Sequence, residues 1–279
     1  MAAATLEEGR IQGAGGLRIC WTAHRVPNPR ASLLVQHGFA DHMGRYGFLI
    51  EALTAAEIDV WLFDARGHGV SGGRRGHVER FEDYHDDLRA MIALVTERAG
   101  GAPFLLGHSQ GGLIVCHAAL SGRLAVRGVA LSNPALRASL PVPAWKVGMA
   151  KGLSRLLPIL PVPVGIPSTS ISRDENVVRA YDEDPLVFSA GTTRWGAEFL
   201  RAQEEVLAQA SRLEAPVLVL LGSADAVIDA KTSQTHFRSL QGDAQVQVFD
   251  GYYHELFNEP LADRLRAIGA LRDWILQHA

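Results

Sequence analysis

The sequence predicts an α/β fold: a doubly wound, mostly parallel eight-stranded sheet with an inserted, mainly helical cap. Three observations predict it. Short apolar runs alternate with amphipathic helical spacings, which is the pattern of strands buried on both faces between helices. The runs end in glycine-bearing turns, as strands feeding helices do. The alternation then breaks across residues 135–205, which are proline-rich, and resumes afterwards. The expected division is a core of residues 1–134 and 206–279 with a cap of residues 135–205.

The elements follow in order. Arg10 to Val26 holds two strand-like runs around Gly13-Ala14-Gly15-Gly16, an antiparallel hairpin at a sheet edge. Ser32-Leu33-Leu34-Val35 is a buried strand, stopping at Gln36-His37-Gly38-Phe39. Met43 to Ala56 has helical spacing, and Ile58 to Phe63 is the next strand, leading into an Arg/Gly-rich loop. In Glu79–Ala99, Phe81, Tyr84, Leu88, Ile92 and Val95 share one helical face. Phe104-Leu105-Leu106 is a strand, Leu113 to Leu120 a buried helix, and Val126 to Leu131 another strand closed by Ser132-Asn133-Pro134. In the proline-rich stretch, Trp145, Met149, Leu153, Leu156 and Leu157 fit one helical face, with Lys146, Lys151 and Arg155 among them, and Ala197–Ala210 is helical. The core returns with a strand at Pro216–Leu221, a helix at Ala230–Leu240, a strand at Ala244–Phe249 and a closing helix at Leu261–Leu276.

Composition narrows the function classes. A net charge of −3 over 279 residues argues against a nucleic-acid footprint. Cys20 and Cys116 lie in separate apolar stretches and read as buried free thiols, not a disulfide framework. The Ala-rich, then acidic first ten residues lack a signal peptide's pattern, and no run is long enough to span a bilayer, so a soluble, cytoplasmic protein is expected.

The chemistry centres on Gly107-His108-Ser109-Gln110-Gly111, set between a strand and a helix. In that context Gly-x-Ser-x-Gly is a nucleophile elbow, where glycines admit a tight turn and the hydroxyl stands at the sheet edge. A serine needs a base, and the base an orienting acid, in the chain order Ser, Asp or Glu, His, each after a strand. Ser109, Asp225 and His254 meet that order. Asp229 is the rival acid, with an N-cap as its plainer role. His37, His68, His108, His117 and His236 lack the late position after a strand. Glu255 is expected to face solvent or a neighbouring loop. An oxyanion needs two backbone N–H donors. Gln110, after the serine, is one; Phe39, in the loop after the strand ending at Gln36, is the other. His37 and His42 have no companion that would make a metal site.

His37-Gly38-Phe39, Asp64-Ala65-Arg66-Gly67-His68-Gly69-Val70-Ser71, Arg75-Gly76-His77-Val78, Gly107 to Gly112 and Gly222-Ser223-Ala224-Asp225 together resemble the monoacylglycerol lipase and lysophospholipase branch of the α/β-hydrolases. The resemblance covers both core halves and least of all the cap. Two positions depart from its pattern: Gln110 stands where Met is frequent, and Ala65 where His is frequent. It implies cleavage of one acyl chain from glycerol or a similar alcohol, with a small ester or lipid as partner and no metal or organic cofactor. The proline-rich apolar cap suggests an enclosed slot for a medium chain, and its lysines and arginine a weak membrane-surface contact. A general carboxylesterase or lysophospholipase is the nearest alternative; a non-catalytic binding protein of the same fold is the remote one. Oligomeric state is not legible.

Overall fold

The computed structural model describes residues 4–139, 148, 152–209, 213, 216–239 and 244–279. Its centre, among the described residues, is an eight-stranded sheet of order β1-β2-β4-β3-β5-β6-β9-β10. The strands are β1 (Thr5–Gln12), β2 (Arg18–Arg25), β3 (Ala31–Gln36), β4 (Ile58–Phe63), β5 (Phe104–His108), β6 (Gly128–Ser132), β9 (Val217–Gly222) and β10 (Ala244–Phe249). β1 and β2 pair antiparallel, as does β2 with β4, and all other pairs are parallel.

Side chains of successive strand residues point to opposite faces, and the central strands are apolar on both. Leu34, Trp61, Phe63, Leu105, Val129, Leu131, Val219 and Leu221 enter one core layer. Leu33, Val35, Val60, Leu62, Leu106, Ala130, Leu218 and Leu220 enter the other. The first layer is closed by helices α2 (Glu82–Ala99) and α3 (Gln110–Leu120), the second by α1 (Gly47–Thr54) and α7 (Leu261–His278). On α2 the buried Tyr84, Leu88, Met91, Ile92 and Val95 keep the spacing read from the sequence, and Gly100, at φ 74°, ends the helix in a left-handed cap.

Between β6 and β9 the chain leaves the sheet. It forms a two-stranded antiparallel patch, β7 (Pro161–Pro163) with β8 (Ala190–Thr192), and helices α4 (Glu175–Glu183) and α5 (Thr193–Ala208). No expectation covered β7–β8, because three-residue strands carry too little periodicity. It also started α5 four residues late: Thr192 is the N-cap, accepting from the Trp195 backbone N–H at 3.2 Å. The expected apolar helical face from Trp145 to Leu157 lies largely outside the described residues. The inserted segment is fastened to loops at the C-terminal ends of the strands. Thr192 N donates to Gly76 O at 2.8 Å, Glu255 N donates to Ile171 O at 2.7 Å, and Arg173 Nε donates to Glu259 at 3.0 Å. Helix α6 (Ala230–Arg238) starts at Asp229, whose carboxylate accepts from Lys231 N, the plain role expected for it.

Both cysteines are free. Cys116 is buried as expected; Cys20 is only half-buried, because it sits on the second strand in from the edge with its thiol toward Val70 O at 3.5 Å. No helix of the described residues is long and apolar enough to cross a membrane.

Candidate active site

The parallel strands β3, β5, β6 and β9 are neighbours, so their C-terminal ends lie side by side. Each end delivers one part of the site. β5 runs directly into α3, and Ser109 between them takes φ 51°, ψ −118°. A left-handed φ on a non-glycine residue is strained, and it is held here by the surroundings. The Ser109 N–H donates to Ser132 O at 3.0 Å, and its carbonyl accepts from Leu113 N and Ala135 N. Gly111 is needed at the turn, since a Cβ there would lie 2.1 Å from Gln36 O. The elbow is thereby pressed against the end of β3, which brings the loop carrying Phe39 beside the first turn of α3.

β9 delivers Asp225, whose side chain is fully buried. One carboxylate oxygen accepts from Val227 N at 2.7 Å and Ile228 N at 3.0 Å; the other accepts from His254 Nδ1 at 2.7 Å. With Nδ1 committed as donor, Nε2 is the ring's proton acceptor. Burial pulls the His254 pKa down, but the Asp225 charge and hydrogen bond outweigh it, and the ring titrates above the usual histidine value. The His254 loop lies tight against the sheet: a Cβ on Gly222 would stand 2.5 Å from the Tyr252 and Tyr253 carbonyls.

His108 joins the two halves. Its ring centroid is 4.9 Å from that of His254, and its Nδ1 lies 3.2 Å from Ser132 O. Burial, and next the His254 charge, push the His108 pKa down to about 4, so no second cation stands beside His254 near neutrality. Asp225 and His254 are paired directly, and His108, the residue before Ser109, packs its ring against that of His254. Among the described residues the Ser109 hydroxyl has no hydrogen-bond partner, as is common before substrate aligns such groups.

The five predicted site residues thus converge on one sheet edge from four loops. A model of the family described as "Serine aminopeptidase, S33" matches residues 27–261. The monoacylglycerol lipase of Mycolicibacterium smegmatis is 33% identical, with all of both chains covered. The chain belongs to the monoacylglycerol lipase branch of the α/β-hydrolases. It is a hydrolase of the lipase and esterase class. Phospholipase YtpA of Bacillus subtilis is 31% identical over 86% of this chain and 92% of its own. The crystal structure of a Paleococcus ferrophilus monoacylglycerol lipase superposes with a TM-score of 0.82 at 33% identity, covering 99% of this chain and all of that one.

In this lipase-branch hydrolase, other residues hold the site in shape, and of these only Glu255 was singled out from the sequence. Asn133, in the left-handed region at φ 41°, donates through Nδ2 to His254 O at 2.7 Å and Tyr253 O at 3.2 Å, and accepts from Gly222 N at 2.9 Å. It laces β6, β9 and the histidine loop together. The Ser-Asn-Pro ending of β6 was the available signal. Glu255 is buried against a neighbouring loop. It accepts from Arg45 through both oxygens, at 2.7 and 2.8 Å, while Arg45 also reaches Asp41 at 3.1 Å and lies 4.7 Å from the Tyr181 ring centroid of α4. Burial would raise the Asp41 pKa, but Arg45, the neighbouring His37 and His108, and the Tyr46 hydrogen bond together hold the carboxyl below its usual range.

Other loop residues around the site are tied to one another. Asp64 accepts from Met43 N at 2.8 Å and Val70 N at 2.7 Å, which fixes one loop to the other. His37 accepts from Ala65 N at 2.9 Å, and His42 pairs with Asp184 at 2.8 Å.

Proposed function

We propose that the chain hydrolyses monoacylglycerols or similar monoesters through an acyl-enzyme, with Ser109 as nucleophile, His254 as base and Asp225 as the acid that orients it. Ser109 Oγ attacks the ester carbonyl while His254 Nε2 takes its proton. The oxyanion is held by the backbone N–H groups of Phe39 and Gln110. Collapse of the intermediate breaks the C–O bond, and the imidazolium returns the proton to the departing alcohol. Water, deprotonated by the same ring, then attacks the acyl-enzyme and frees the acid and Ser109. The reaction so written uses only these residues and water. The observation that carries it is the buried Asp225–His254 pair at 2.7 Å beside the strained Ser109 elbow. The full-length similarity to a monoacylglycerol lipase supports glycerol monoesters, and the similarity to a phospholipase keeps lysophospholipids as the second reading.

Residues 135–205 act, in this reading, as a cap that selects the acyl chain. Their outer edge favours a weak contact with a lipid surface: Leu156, Leu157, Ile159, Leu160 and Val162 are exposed, with Leu156 at 79%.

The test is a panel of monoacylglycerols of graded chain length, lysophospholipids, simple esters and aminoacyl amides, run beside Ser109→Ala. Turnover of monoacylglycerols that vanishes in the variant is expected. Unchanged turnover in Ser109→Ala removes the mechanism; a flat response to monoacylglycerols beside fast cleavage of another class removes the substrate reading. Vesicle co-sedimentation addresses the surface contact, with pelleting expected to drop for Leu156→Ser/Leu157→Ser and pelleting without any lipid dependence counting against it.

A further inference from the structure

The reaction proposed above makes no use of the Gln110 side chain, and none of Trp195. The two are nevertheless joined, both buried: Trp195 Nε1 donates to Gln110 Oε1 at 2.7 Å. The same indole stacks on the Phe39 ring, with centroids 4.0 Å apart and planes at 28°. Phe39 and Gln110 are the two residues whose N–H groups are proposed to hold the oxyanion. They come from loops after different strands, and one side chain from α5 grips both.

That side chain is itself firmly seated. Its ring lies so close over Gly191 that a Cβ there would be 2.3 Å from it, and it stacks on Phe199 at 5.1 Å. Its backbone N–H is held by the Thr192 cap. Phe39 is boxed in from other sides by the edges of Phe188, at 5.2 Å, and His68, at 5.8 Å. The Gln110 amide has two polar neighbours, the indole at its oxygen and the Tyr84 hydroxyl. Its buried nitrogen lies by the buried Tyr84 hydroxyl, a contact short of good hydrogen-bond geometry. The bond from Trp195 is the one that the Gln110 side-chain oxygen accepts among the described residues.

We infer that Trp195 is a positioning residue that sets the spacing of the two oxyanion donors and ties that spacing to the inserted segment. The inference rests on the assignment of Phe39 and Gln110 as donors. Oxyanion stabilisation depends steeply on where the donors stand, so a side chain that holds both acts on the transition state and hardly on ground-state binding. Acylation and deacylation both pass through an oxyanion. Both should slow together when the grip is lost, which lowers kcat and leaves KM in place.

Trp195→Phe keeps an aromatic ring on Phe39 and removes the N–H donor. Gln110→Leu removes the acceptor and keeps the backbone N–H. Each is assayed with p-nitrophenyl butyrate and with a monoacylglycerol, and kcat is taken per active site titrated with a phosphonate ester, so that misfolded protein does not count. Each single variant is expected to lose roughly tenfold in kcat, with KM within about twofold, and the double variant to be no slower than the slower single, since one bond is lost in all three. A kcat within about twofold of the parent in either single variant, a loss confined to KM, or losses that multiply in the double variant overturn the inference. Ser109→Ala is run alongside: surviving turnover there removes the mechanism as a whole, whereas an inactive Ser109→Ala with a fully active Trp195→Phe removes only the role of Trp195.

Discussion

At His254, the proposed base, two opposing forces act on one ring. Burial disfavours the imidazolium, yet the buried Asp225 carboxylate at 2.7 Å favours it more, and the net shift is upward. A base must be neutral to accept a proton, so activity should fall on the acid side as His254 protonates, with an apparent pKa above 6.5 in kcat/KM. Asp225→Asn removes the charge that raises the ring. The acid limb should then move to lower pH while kcat drops by about three to four orders of magnitude, because the amide no longer fixes the Nδ1–H tautomer. A pH–rate profile of the two proteins checks both parts. Ser109, Asp225 and His254 could be nominated from the sequence for their proposed roles because each follows a recognisable strand, and chain order ranks the candidates. Asn133, Arg45 and Trp195 could not be read that way. Each acts by bridging segments far apart in the chain, and no local spacing encodes which segments will meet.

At the level of elements, the loops rather than the helices and strands do the joining. Arg45 connects the loop after β3, through Asp41, with the histidine loop, through Glu255, and lies on Tyr181 of α4. All three charged side chains are at least nine-tenths buried. Removing the cation leaves two buried carboxylates uncompensated, which costs about 3–5 kcal/mol. Arg45→Met should lower the unfolding free energy by that amount in urea titration, with a smaller loss for the double variant Arg45→Met/Glu255→Gln. The central strands were legible because they are apolar on both faces and short. β1 was read only in part, since the run of Glu7, Glu8 and Arg10 on an edge strand carries no apolar stripe. The inserted segment was the least legible. Its packing is against loops of the core, so its own periodicity says little about where it sits.

Across the whole molecule, several histidines are buried in a neutral state. Burial, reinforced by nearby positive groups, lowers the pKa of His68 and His85 to about 3 and that of His108 to about 4. In the unfolded chain these rings protonate near 6.5. Between the two values the unfolded state binds protons that the native state does not, so stability is whole above pH 6.5 and is lost as pH falls through the window below it. Each ring contributes about 1.4 kcal/mol per pH unit there. His254 has the opposite sign: its raised pKa adds stability below 6.5 that disappears as pH rises through its folded value. Denaturant unfolding at pH 5, 6 and 7 should show a steep fall toward pH 5, and a flat profile would mean that these rings are hydrated in the native state.

The strand order carries a consequence for how the protein is made. β5 and β6 are neighbours and early in the chain, while β9 docks on β6 only after everything from Asn133 to Pro216 has been synthesised. On the ribosome, the growing sheet therefore waits with the hydrogen-bonding edge of β6 open, flanked by Val129 and Leu131, which are fully covered in the finished protein. The nascent chain already holds the serine elbow but neither Asp225 nor His254, so an unfinished copy carries Ser109 without its proposed partners. Its hazard in the cell is sticking to another chain, not cutting an ester, and demand for a chaperone should be greatest between the emergence of β6 and that of β9.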